Sequence, residues 1–148
     1  MATYPARTIG VAIERSPREV YAFAVVPENL PKWAAGLGTS GERSGDAWVA
    51  QMEVGRVTVR FVERNELGVL DHIVTLPDGQ EVYNPMRVMP NGTGSEVSFT
   101  LFRLPGMTDA QLEADAAQVQ RDLETLKGIL EGGDDVNGRA GNQESGAR

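Results

Sequence analysis

The stretch VLDHIVTLPDGQEVYNPMRVM, residues 69–89, carries two alternating runs about a Pro-Asp-Gly centre. Val69–Leu76 and Glu81–Met89 read as strands, because side chains of opposite character alternate with a period of two. Between them, Leu76-Pro77-Asp78-Gly79-Gln80 suits a type I turn at Pro77-Asp78 followed by a left-handed Gly79. That three-residue loop sets Leu76 opposite Gln80. Val74 then faces Val82, His72 faces Asn84 and Leu70 faces Met86. A two-residue loop would shift the pairing by one and turn the second strand over. With the longer loop, one face reads Leu70, His72, Val74, Val82, Asn84, Met86 and Val88. The other reads Asp71, Ile73, Thr75, Tyr83, Pro85 and Arg87. The first face is the more apolar and is expected to point inward. On the outer face, Arg87 lies diagonal to Asp71, and a salt pair between them is expected.

The same logic extends outward. With Asn91–Gly94 as the next loop, Val88 faces Val97, Met86 faces Phe99, Asn84 faces Leu101 and Val82 faces Arg103. Glu96–Leu104 thus adds Val97, Phe99, Leu101 and Arg103 to the inner face. Ala47–Val54 and Val57–Glu63 read as two further strands, with Trp48, Ala50, Met52, Val57, Val59 and Phe61 inward by alternation. Gly55 and Asn65–Gly68 mark the turns. Short turns between successive strands mean an antiparallel meander. Thr8–Glu14 alternates as well and supplies a first strand.

Two helical signals flank the meander. Ser16-Pro17-Arg18-Glu19 combines a capping box with proline at the first helical position. Pro27 and Pro31 break the helical stretch into two short helices, the second carrying Trp33 and ending at Gly36 or Gly38. Thr108-Asp109-Ala110-Gln111 is a second capping box. It opens a helix to about Glu131, with Leu112, Ala116, Val119, Leu123, Leu126 and Leu130 on one stripe. The expected class is α+β: a curved antiparallel sheet of about six strands around a long C-terminal helix, with two short helices after the first strand. One domain is expected over residues 1–133. Residues 134–148 are polar and rich in glycine, and are expected to be a disordered tail.

Composition narrows the function classes. The chain has 148 residues and no cysteine, which removes disulfides, thiolate metal sites and cysteine nucleophiles. It fits a cytoplasmic location, as does the lack of a long apolar N-terminal stretch. No apolar run reaches the roughly 20 residues needed to span a bilayer. The net charge of −7 offers no basic face to nucleic acid. Asp134-Asp135 has no ligand cluster around it, so no metal is expected there, and no cofactor is expected elsewhere.

The order of elements meets a known family at two places. One is Ile13-Glu14-Arg15-Ser16-Pro17-Arg18-Glu19-Val20-Tyr21-Ala22-Phe23, followed by Pro27-Glu28-Asn29-Leu30-Pro31-Lys32-Trp33. The other is Gly92-Thr93-Gly94-Ser95-Glu96-Val97-Ser98-Phe99-Thr100-Leu101, followed by the long helix. Over roughly residues 8–131 the chain resembles the START-like (SRPBCC) superfamily, the helix-grip group that includes polyketide cyclase/dehydrase-like and birch-pollen-allergen-like proteins. The resemblance implies a cavity between sheet and C-terminal helix. It implies no catalytic motif, because the superfamily spans lipid carriers, hormone receptors, cyclases and dehydratases, and fold does not fix function.

The inner face sets three polar side chains among apolar ones: His72, Asn84 and Arg103. An apolar hollow with a few convergent polar groups is the usual form of a ligand site. Arg103 suits a carboxylate or phenolate, and Asn84 and His72 a carbonyl or hydroxyl. Trp33, Trp48, Phe61, Met86 and Phe99 are the candidate walls. A plainer reading stands beside each. Arg103 ends its strand and could reach solvent or pair with Asp115 or Asp122. His72 and Asn84 could simply satisfy each other. Trp33 and Trp48 could be core. The first expectation is therefore binding of a small, largely apolar molecule. A cyclase or dehydratase using His72 as acid or base is the alternative, weakened by the chain's single histidine. The third class is an interaction module without a small ligand, such as a homodimer using Ile73 and Tyr83 on the outer face, or Tyr21 and Trp33.

Overall fold

The computed structural model describes residues 2–37 and 40–132. The proposed tail at 134–148, and with it the domain boundary at 133, lies outside the described residues. The elements run β1 (Ala6–Ile13), α1 (Pro17–Ala24), α2 (Leu30–Trp33), β2 (Gly41–Ser44), β3 (Ala47–Met52), β4 (Gly55–Phe61), β5 (His72–Thr75), β6 (Glu81–Asn84), β7 (Met86–Asn91), β8 (Gly94–Phe102) and α3 (Asp109–Gly132). Short 3-10 turns at Pro27–Asn29 and Ala35–Leu37 flank α2. No described helix is long and apolar enough to cross a membrane.

Local chemistry accounts for the starts. The Ser16 hydroxyl accepts the Glu19 N–H, and the Glu19 carboxylate accepts the Ser16 N–H, closing the capping box of α1. At α3, Thr108 and Gln111 make the same reciprocal pair at 2.8 and 3.1 Å. The predicted stripe of α3 is buried at Leu112, Ala116, Leu123, Leu126 and Leu130, and half-buried at Val119. Ala116, Leu123, Leu126 and Leu130 pack with Ile9, Ile13, Val97 and Met86 in a single core. Lys127 donates to the Ala12 carbonyl at 2.7 Å, and Glu131 accepts the Glu14 N–H at 2.8 Å, fastening the end of α3 to β1.

The strands form two antiparallel groups, β1-β8-β7 and β2-β3-β4-β5-β6. The Pro-Asp-Gly loop takes the three-residue form: Leu76 N–H donates to the Gln80 carbonyl at 2.9 Å, and Gly79 has φ +91°. Val74 pairs with Val82 and His72 with Asn84, in the predicted register. In β7 and β8, Val88 pairs with Val97 and Met86 with Phe99, also as predicted.

Three expectations need correction. Glu81–Met89 is not one strand, because Pro85 divides it into β6 and β7. Proline has no N–H to give to the ladder. Second, β2 has no counterpart among the predicted strands; all four of its residues are exposed, so it shows no alternation to read. Third, the pairing of β7 with β8 stops at Met86 and Phe99, so Asn84 and Val82 do not continue it to Leu101 and Arg103. On the N-terminal side of Pro85 the chain belongs to the other group, and β6 and β8 diverge.

The two groups are joined where residues 68–70 run beside residues 86–88. Leu70 N–H donates to the Met86 carbonyl at 2.8 Å, and Val88 N–H donates to the Gly68 carbonyl at 2.9 Å. Gly68 sits at φ +75°, and a Cβ there would lie 2.2 Å from the Val88 carbonyl oxygen, so only glycine permits this approach.

Candidate functional site

Between the sheet and α3 lies a cavity of about 220 Å³. The sheet supplies His72 and Val74 from β5, Val82 and Asn84 from β6, and Phe99 and Leu101 from β8. Trp33 at the end of α2 and Leu37 just beyond it close one side. Asp115, Gln118, Val119 and Asp122 come from successive turns of α3. A second hollow, an outer groove of about 820 Å³, lies where β6 and β8 part, against Tyr4 and the loop Leu104–Met107. The two hollows share Val82, Asn84, Leu101 and Asp115.

His72 is buried with its ring edge-on to Phe61 and Phe99, centroids 5.4 and 5.5 Å away. Its Nδ1 lies 3.0 Å from the Leu70 carbonyl, which can only accept, so Nδ1 carries the proton. Nε2 is therefore an acceptor, and the Asn84 amide approaches it at 3.5 Å, a long contact. Burial pushes the His72 pKa down, against the opposing pull of the Leu70 carbonyl and Asp71, and the ring is neutral at pH 7. The Trp33 side chain is buried as well, and its indole N–H has no hydrogen-bond partner among the described residues. A buried donor left without an acceptor costs about 1–3 kcal/mol.

The carboxylates of α3 differ from each other. Asp122 accepts the Gly36 N–H at 3.2 Å and the Gln118 amide at 2.9 Å. Burial raises its pKa, and these bonds offset the rise only in part. Asp115 stands at the junction of cavity and groove; loss of water around its carboxyl raises its pKa too.

Trp33, His72, Asn84 and Phe99 thus meet around one hollow. Arg103 does not join them: its guanidinium reaches Asp109 at 3.3 Å, and its backbone N–H donates to the Pro5 carbonyl at 2.8 Å. That departure follows from the divergence of β6 and β8. Trp48 and Met86 are in the core and border neither hollow, while Phe61 meets the site only through the edge of His72. The expected Asp71–Arg87 pair is present on the far face, two-pronged at 3.0 and 3.1 Å. Of the outer-face pair Ile73 and Tyr83, only Tyr83 is exposed, and its hydroxyl is bonded to Asp71. The sequence alone does not single out Gln118 or Leu37, and it offers Asp115 and Asp122 only as partners for Arg103. The available signal was Asp122 beside Leu123 on the buried stripe of α3.

No protein-family model and no curated protein matches this chain. Solved structures do match it. The Aha1 dimer from Colwellia psychrerythraea is 16% identical with a TM-score of 0.67, over 86% of this chain and 96% of that one. The fold is the helix-grip fold. Protein CV1439 from Chromobacterium violaceum is 18% identical with a TM-score of 0.61, over 85% and 97% of the two chains. DynU16, from the dynemicin biosynthetic locus, is 13% identical with a TM-score of 0.66; the match covers 86% of this chain and 48% of that one. At such identities the helix-grip likeness is one of fold, and the site must be argued from its own residues.

Proposed function

We propose that this protein binds a small, largely apolar molecule in the cavity between sheet and α3, with an oxygen-bearing group of that molecule at Trp33 and His72. The observation that carries the reading is a largely apolar hollow walled by Trp33, whose buried N–H has no acceptor among the described residues. A hydroxyl oxygen would accept from Trp33, and its proton would suit the unprotonated Nε2 of His72 in place of the long Asn84 contact. Val74, Phe99, Leu101 and Val119 supply the apolar surround. A homodimer is compatible with this reading, and the Aha1 neighbour is described as a dimer.

An acid–base role for His72 is the second reading, favoured by one feature: the bond from Nδ1 to Leu70 leaves Nε2 unprotonated and turned to Asn84. Against it, burial makes the imidazole a weaker base than a free one.

The test is native mass spectrometry of the purified protein, followed by denaturation and identification of whatever is released. A stoichiometric apolar compound carrying a hydroxyl or carbonyl, reduced in Trp33→Phe, supports the binding reading. Recovery of a chemically altered compound after incubation, lost in His72→Asn, would favour catalysis. No adduct, together with no thermal shift across a broad apolar library, would sink the binding reading.

A further inference from the structure

The charges around the two hollows are of one sign. The cavity is bordered by Asp115 and Asp122, and the groove by Glu81 and Asp115; no lysine or arginine lines either among the described residues. Arg103, whose neighbours Phe102 and Leu104 line the groove, is turned to Asp109. His72 is neutral. An anionic molecule entering here would lose water and meet only carboxylates.

The two cavity carboxylates are not equivalent. Asp122 is already met by the Gly36 N–H and by Gln118. Asp115 has no hydrogen bond or ion pair to a described residue, and it stands where cavity and groove meet. Trp33, which also lines this cavity, has an N–H with no acceptor among the described residues. The cavity thus holds two carboxylates and no cation among the described residues, and of the two only Asp115 lacks a described partner.

Resting on the binding reading above, we infer that the occupant is an apolar amine, protonated at neutral pH, whose ammonium is held by Asp115 at the mouth while its apolar body lies against Phe99, Leu101 and Val119. The chain's net charge of −7 favours the approach of a cation over that of an anion.

Three probes with one shared body separate the cases: naphthylethylamine, naphthylethanol and naphthylacetate, titrated calorimetrically at pH 7 and low salt into the full chain. The amine should bind a few-fold more tightly than the alcohol, and the acetate most weakly, an ion pair at the exposed Asp115 contributing on this order. In Asp115→Asn, the amine should fall to the level of the alcohol, whose affinity should not change. Acetate binding as tightly as the amine, or an amine preference that survives Asp115→Asn, would overturn the inference. Equal binding of alcohol and amine overturns it too, yet leaves the cavity reading standing. Failure of all three to bind folded wild-type protein overturns both.

Discussion

The carboxylate of Asp71 accepts the backbone N–H of Met86 at 2.9 Å. In an unbroken ladder that N–H would go to the Leu70 carbonyl, since Leu70 N–H already donates to Met86. The break at Pro85 separates the two groups, and consecutive side chains satisfy both: Asp71 takes the donor on one face and His72 the carbonyl on the other. Asp71 also holds Arg87 and the Tyr83 hydroxyl. Burial alone would raise its pKa, but Arg87, Tyr83 and the Met86 N–H together bring it from 3.8 to about 2. A pKa lowered by folding means stability present above the unfolded value and lost as pH falls through the folded one. Asp71 should therefore contribute about 2 kcal/mol that disappears between pH 3.8 and about 2. Asp71→Ala should cost about 3 kcal/mol at pH 7, by leaving Met86 and Tyr83 unpaired. Urea midpoints of the two proteins should converge at the acid end.

His72 predicts a separate loss at milder pH. Its folded pKa lies below the ordinary 6.5, so the stability it contributes is intact above 6.5 and declines as pH falls below that value. Asp71 is fully ionised over this range, and Asp122, whose pKa is raised, acts in the opposite sense by favouring the folded state as it protonates. His72→Asn keeps a donor near the Leu70 carbonyl and cannot titrate. Between pH 7.5 and 5.5 the urea midpoint of the wild type should fall relative to that of the variant, which stays level or rises as Asp122 protonates. A wild-type profile that runs parallel to the variant's would show that the ring is not held neutral by burial.

How far such arrangements can be read from residues alone depends on whether the deciding interaction is local. The His72–Asn84 pairing is legible because Pro77-Asp78-Gly79 sets the loop within five residues. The Asp71–Arg87 pair follows from the same register. The position of Arg103 does not, because it depends on how two strand groups separate at Pro85. Proline inside an alternating run is the available warning against extending the register through it. The unpaired Trp33 N–H is further from reach, since it depends on the absence of any acceptor within a three-dimensional shell. The strand Gly41–Ser44 is illegible for another reason: its exposed residues impose no pattern on either face.

Phe99 tests whether the hollow is real. A phenylalanine packed on all sides loses about 3–5 kcal/mol on truncation to alanine. Phe99 is 8% exposed and borders the cavity, so part of its ring already faces empty space. Phe99→Ala should cost about 2–3 kcal/mol in a urea titration, below the fully packed range. It should also widen the cavity and improve binding of bulkier apolar probes. A loss above about 4 kcal/mol would mean that the ring is enclosed in solution.

Trp33 separates the energetics of the free protein from those of the complex. In the free protein its buried N–H meets no acceptor among the described residues, at a cost of about 1–3 kcal/mol. Trp33→Phe removes that donor and some of the ring, so the gain from the one offsets the void left by the other. The free variant should melt within about 1 kcal/mol of wild type, although truncating a large buried aromatic normally costs more. Bound to naphthylethanol, the order should change, with the variant weaker by about tenfold for want of the donor. Ethylnaphthalene, which offers no acceptor, should bind both proteins alike. Thermal melts with and without each probe check this. Equal losses for both probes would assign Trp33 a packing role only, and a large loss in the free protein would mean that its N–H finds a partner in solution.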